Sequence, residues 1–130
     1  MRKLRLLSSL VLLFLFVPVL SCASNHGQLK SITISPATAT GQSQVIASGS
    51  YSDGTSVSPL PVLWSEGNPW VKNEVAPEGI SVSASGMASC NPVVGTFTVE
   101  ATAPVDPHIP VSQMDMMTRQ VHGTAQLTCP

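Results

Sequence analysis

Met114, Met116 and Met117 stand close in the chain to His108 and His122. Thioether and imidazole groups are soft enough to hold copper(I). Side chains of an extended backbone alternate, which places Met114 and Met116 on one side and Met117 on the other. That is not the spacing of a dedicated cage, and methionine also fills irregular gaps where a loop packs on a domain. Asp53, Asp106 and Asp115 are carboxylates, but they are scattered rather than set at the positions of a calcium loop. The histidines and serines form no Gly-x-Ser-x-Gly and no His-Glu-x-x-His. No catalytic residue, metal site or cofactor is assigned, and the chain reads as a non-enzyme.

Tyr51, Trp64 and Trp70 have the surfaces to stack on a sugar ring. Trp64 lies inside a short apolar run and reads as core. Trp70 follows Gly67-Asn68-Pro69, a loop composition, and exposed loop aromatics mark contact surfaces. The candidate binding residues are therefore Trp70, His108, Met114 and Met116.

The cysteines carry the strongest positional signal. Arg2, Lys3 and Arg5 precede an apolar stretch from Leu6 to Leu20, the order of a secretory signal. The stretch is shorter than the roughly 20 apolar residues of a spanning helix. Val19-Leu20-Ser21-Cys22 follows at once and resembles a bacterial lipobox, which implies acylation of Cys22 and cleavage before it. A cut after Ala23 by an ordinary signal peptidase is the alternative, and it would release a soluble secreted protein. With Cys22 lipidated, Cys90 and Cys129 remain as a pair, and an oxidising compartment favours their disulfide over two free thiols. Residues 1–21 are accordingly read as signal peptide, 22–28 as a lipidated tether and 29–130 as the folded domain.

Six Lys plus Arg face seven Asp plus Glu in the whole chain, and loss of Arg2, Lys3 and Arg5 leaves three against seven. Lys30, Lys72 and Arg119 alone cannot neutralise a run of phosphates, so nucleic acid is not an expected partner.

Short alternating segments must position all of these residues. Ile32 and Ile34 share a face, as do Val45, Ala47, Gly49 and Tyr51. Asp53-Gly54 supplies a turn. Val62–Ser65, Ile80–Ser83 and Gly86–Cys90 are brief strands. Gly95–Ala103 sets Phe97, Val99 and Ala101 against Thr96, Thr98, Glu100 and Thr102, and Val121–Cys129 aligns Ala125, Leu127 and Cys129. Pro104 to Gln120 is a long connection. About seven short strands in roughly 100 residues describe an all-β antiparallel sandwich.

In order, Leu29-Lys30-Ser31-Ile32-Thr33-Ile34-Ser35-Pro36, Tyr51-Ser52-Asp53-Gly54, Trp64-Ser65, Ser83-Ala84-Ser85-Gly86 and Gly95-Thr96-Phe97-Thr98-Val99-Glu100-Ala101 resemble the bacterial Ig-like domain, group 2. The resemblance covers residues 29–103 and implies an Ig-like sandwich in a cell-surface or periplasmic protein. It carries over no catalytic residue. The long Pro104–Gln120 connection and the Cys90–Cys129 pair depart from the family pattern. The expected function is a cell-envelope lipoprotein, anchored by Cys22 on the periplasmic or outer cell surface. It presents one domain as a non-catalytic binding or structural module for a protein or polysaccharide partner. A copper-handling lipoprotein using Met114, Met116 and a nearby His is the alternative. The Pro104–Gln120 connection and the Glu66–Asn73 loop form the expected working surface, with residues 105–118 dispensable for folding.

Overall fold

Alternation of apolar and polar residues in the chain becomes alternation of buried and exposed residues in the computed structural model, which describes residues 27–66, 79–92 and 94–130. Residues 1–21, the expected signal peptide, lie outside the described residues with Cys22 and Trp70, as does the Glu66–Asn73 loop beyond Glu66 itself. The described chain is an all-β sandwich. Its strands are β1 (Leu29–Ser35), β2 (Thr38–Thr40), β3 (Ser43–Gln44), β4 (Ile46–Tyr51), β5 (Ser56–Val57), β6 (Leu63–Glu66), β7 (Ile80–Val82), β8 (Met87–Cys90), β9 (Gly95–Pro104) and β10 (Gln120–Cys129).

These ten segments exceed the seven predicted because short pieces flank the main strands. Only Val45 separates β3 from β4, so the ladder β1-β4-β5 and the ladder β3-β8-β7 follow one stretch of chain. Val45 itself donates its N–H to the Gly86 carbonyl at 2.8 Å. The opposing sheet has the order β2-β10-β9-β6.

One pairing departs from the antiparallel expectation: β2 lies parallel to β10, with Leu127 opposite Ala39. Pro36 has no N–H with which to extend β1. The chain crosses to the other sheet without turning back, and the Ala37 carbonyl accepts from Gln126 N–H.

Both inner faces contribute large and small residues to the core. Leu29, Ile32, Ile34 and Tyr51 on β1 and β4 meet Ala101, Ala103, Ala125 and Leu127 on β9 and β10, all of them buried. Side chains from the two inner faces together fill the core of the sandwich. Gly123 belongs to this design: a Cβ there would stand 2.6 Å from the Ile32 carbonyl oxygen. Trp64 is half-buried against this core rather than sealed in it. A disulfide joins Cys90 on β8 to Cys129 on β10, with Cα atoms 5.6 Å apart, and so ties one sheet to the other.

Candidate functional site

Strands β9 and β10 form a hairpin whose ladder opens at Pro104 and Gln120, and residues 105–119 span the gap. The segment is tied down at its root. Val105 N–H donates to the Arg119 carbonyl at 2.9 Å, and the Val105 carbonyl accepts from Leu29 N–H at 2.8 Å. The first described residues are bonded beside it: Gly27 N–H reaches Asp53 Oδ2 at 3.2 Å and Gln28 N–H reaches Ser52 Oγ at 2.9 Å. Where the described chain begins and where the long connection projects are therefore one end of the sandwich.

Two carboxylates shape the connection. Asp106 Oδ1 accepts both the backbone N–H and the ring Nδ1–H of His108, each at 2.9 Å. Asp115 Oδ1 accepts from the N–H groups of Met117 and Thr118 and from the Thr118 hydroxyl, at 2.9, 2.8 and 2.8 Å. These are Asx turns, in which a short carboxylate replaces a backbone acceptor. Both acids are held below the ordinary carboxylate range. For Asp106 the His108 backbone bond is the main cause, followed by its side-chain bond. For Asp115 the Thr118 hydroxyl leads. A one-turn 3₁₀ helix, Val111–Gln113, sits between the two turns.

The side chains of the connection split into two sets. Ile109 and Val111 turn inward and line an apolar groove with Leu29, Tyr51, Leu60 and Pro61. Tyr51 is buried there, and burial, with the nearby Asp53 charge second, pushes its phenol above the ordinary value. Met116 and Met117 turn outward, 74% and 91% exposed. The gap-filling expectation for the methionines thus fails for these two; Met114 alone is partly buried. Residues 105–118 also supply the carbonyl that receives Leu29 and part of the cover over Tyr51.

A polar cluster that sequence reasoning did not single out lies on the outer face of the β9–β10 hairpin. Thr102 and His122 are opposite one another in the ladder. His122 Nδ1 stands 2.7 Å from Glu100 Oε1 and 3.1 Å from Thr102 Oγ1. A carboxylate only accepts, so Nδ1 carries the proton and Thr102 Oγ1 accepts alongside. Thr102 is wholly buried even though it points to the outer face. The hydroxyl and the acid therefore address the same ring nitrogen. A nucleophile–base–acid relay needs them on opposite nitrogens and an accessible hydroxyl. The cluster holds His122 in place and leaves Nε2 without a hydrogen bond among the described residues.

Met116, Thr118, Gln120 and His122 line one shallow depression. Of the soft-ligand candidates, Met116 and His122 are thus brought together, while Met114 does not line the depression and His108 is paired with Asp106. No group of three His, Cys, Asp or Glu placed to hold a metal occurs among the described residues.

The expected joint surface with the Glu66–Asn73 loop does not start from one place. Glu66 pairs with Val99, whereas the 105–119 connection leaves β9 at Pro104. At about 3.3 Å per residue these points are roughly 16 Å apart along the strand, and β6 runs away from the connection. No family model matches the chain, and no curated protein matches it.

Proposed function

We propose that this protein is a cell-envelope lipoprotein, anchored through lipid on Cys22, that presents a bacterial Ig-like sandwich as a non-catalytic contact module. Its working surface is the 105–119 connection. The observation that carries this reading is the shape of that segment: two Asx turns and root bonds to Leu29 hold apolar side chains outward on a rigid scaffold, where recognition usually resides. Support for the anchor comes from Val19-Leu20-Ser21-Cys22 and from the pairing of the other two cysteines, which leaves Cys22 as the odd thiol. Support for the family comes from the ordered motifs of residues 29–103.

The intact mass of protein extracted from bacterial membranes tests the reading. Residues 22–130 plus lipid, less two protons, is the expected value. A lipid-free mass beginning at Ser24 would replace the tethered module with a soluble secreted domain.

The shared depression of Met116 and His122 favours one second reading, copper(I) handling. A neutral imidazole whose Nδ1–H is held by a carboxylate offers Nε2 as a ligand. Copper(I) titration of the acylated protein, with His122→Ala as control, decides it: absence of stoichiometric uptake ends the metal reading.

A further inference from the structure

We propose that the partner of the 105–119 connection is the lipid bilayer itself, with Met116 and Met117 seated among the headgroups and upper acyl chains of the membrane that holds Cys22. This rests on the lipidated-Cys22 reading and names what its contact surface touches.

Geometry supplies the first support. Gly27, Gln28 and Leu29 are bonded to Asp53, Ser52 and Val105, and Gln28 lines the same depression as Met117, Thr118 and Arg119. From Cys22 to Gly27 is five residue steps, at most about 18 Å of extended chain. A lipid on Cys22 fixes that residue at the membrane surface. The tether is therefore too short to carry this end of the sandwich far from the bilayer, and the connection is the element that projects there.

Chemistry supplies the second. Met116 and Met117 are the most exposed apolar side chains at this end, and Asp115 holds the turn that displays them. Methionine is flexible and polarizable and adapts to an irregular apolar surface. Amphipathic segments that lie at the interface bury such residues at the boundary of headgroup and acyl chain. The connection has Arg119 as its one Lys or Arg, against Asp106 and Asp115. Its attachment is accordingly apolar, not an attraction to anionic lipid.

The test uses the full chain, processed and acylated, carrying Met117→Cys. Cys90 and Cys129 are joined and an acylated Cys22 has no free thiol, so position 117 takes a polarity-sensitive fluorophore alone. Thr40→Cys is the control: Thr40 pairs with Thr128, eight residues along β10 from Gln120 and roughly 26 Å from the connection. Each labelled protein is placed in phosphatidylcholine vesicles with phosphatidylcholine spin-labelled high on the acyl chain. The expected result is a blue-shifted, strongly quenched label at 117 and an unaffected label at 40. Unquenched emission at both positions, with acyl chains confirmed by intact mass, overturns the bilayer contact and leaves the connection to a protein partner. Absence of the acyl mass overturns the lipoprotein reading instead. Met117 is almost fully exposed, so the substitution removes no core contact.

Discussion

The two ends of this sandwich are secured by different means. At one end Cys90 and Cys129 join β8 to β10 covalently, and threonines line the outer face, with Thr96 Oγ1 and Thr128 Oγ1 3.3 Å apart. At the other end no disulfide occurs among the described residues, and residues 105–119 are held by carboxylate turns, root hydrogen bonds and the inward packing of Ile109 and Val111. The first end resists opening because its loop cannot leave. The second keeps its shape through short-range bonds that open locally without unfolding the sheets. A contact surface belongs on the second kind of end, where apolar side chains are displayed without weakening the core.

Breaking the covalent end should cost most. Cys90→Ser with Cys129→Ser opens a loop with a sequence separation of 39, worth about 4 kcal/mol in the chain-entropy model. A large drop in the urea midpoint is expected, and a change below ~1 kcal/mol would remove the contrast between the ends. Next comes the close approach of the sheets: Gly123→Ala forces a Cβ against the Ile32 carbonyl, with an expected loss of about 1–3 kcal/mol. A neutral result in chemical denaturation would mean that β1 yields there.

Smaller again is Thr102→Val, which strips the hydroxyl from a wholly buried site. About 1 kcal/mol should be lost, and the nitrogen chemical shifts of the His122 ring should report a changed Nδ1 environment. Asp115→Ala should have the least global effect, with the urea midpoint essentially unchanged, while amide exchange at Met117 and Thr118 accelerates. The same amides should respond to acid. Asp115 is depressed below its ordinary value of 3.8, so its contribution is complete above that value and fades as pH falls through the lower folded value. Protection of both amides that persisted in the wild type once Asp115 itself is protonated, as its carboxyl carbon chemical shift reports, would show that the turn does not need its carboxylate.

Much of the scaffold was legible residue by residue. Ile32 with Ile34, Val45 with Ala47, Gly49 and Tyr51, Val99 with Ala101, and Ala125 with Leu127 and Cys129 all face inward as their alternation predicts, because side-chain direction in a strand depends only on the local backbone. The Cys90–Cys129 bridge followed from parity and compartment, and it is present. Less of the candidate site was legible. His108 lies two residues from the acid it binds, a local Asx turn that inspection of Asp106 would have found. The Glu100–His122 contact joins residues 22 apart, and it exists only in the hairpin register that sets Thr102 opposite His122.

By itself the sequence determined the main strands, most of their inner faces, the turn at Asp53-Gly54 and the pairing of two cysteines. These follow from chemistry within a few residues, or from counting thiols. Only the tertiary structure decided that β2 runs parallel to β10, that Met116 shares a depression with His122, and that the first described residues are bonded beside the 105–119 connection. Each of these depends on which distant segments lie side by side, and strand register is settled by how the whole core closes rather than by any local preference.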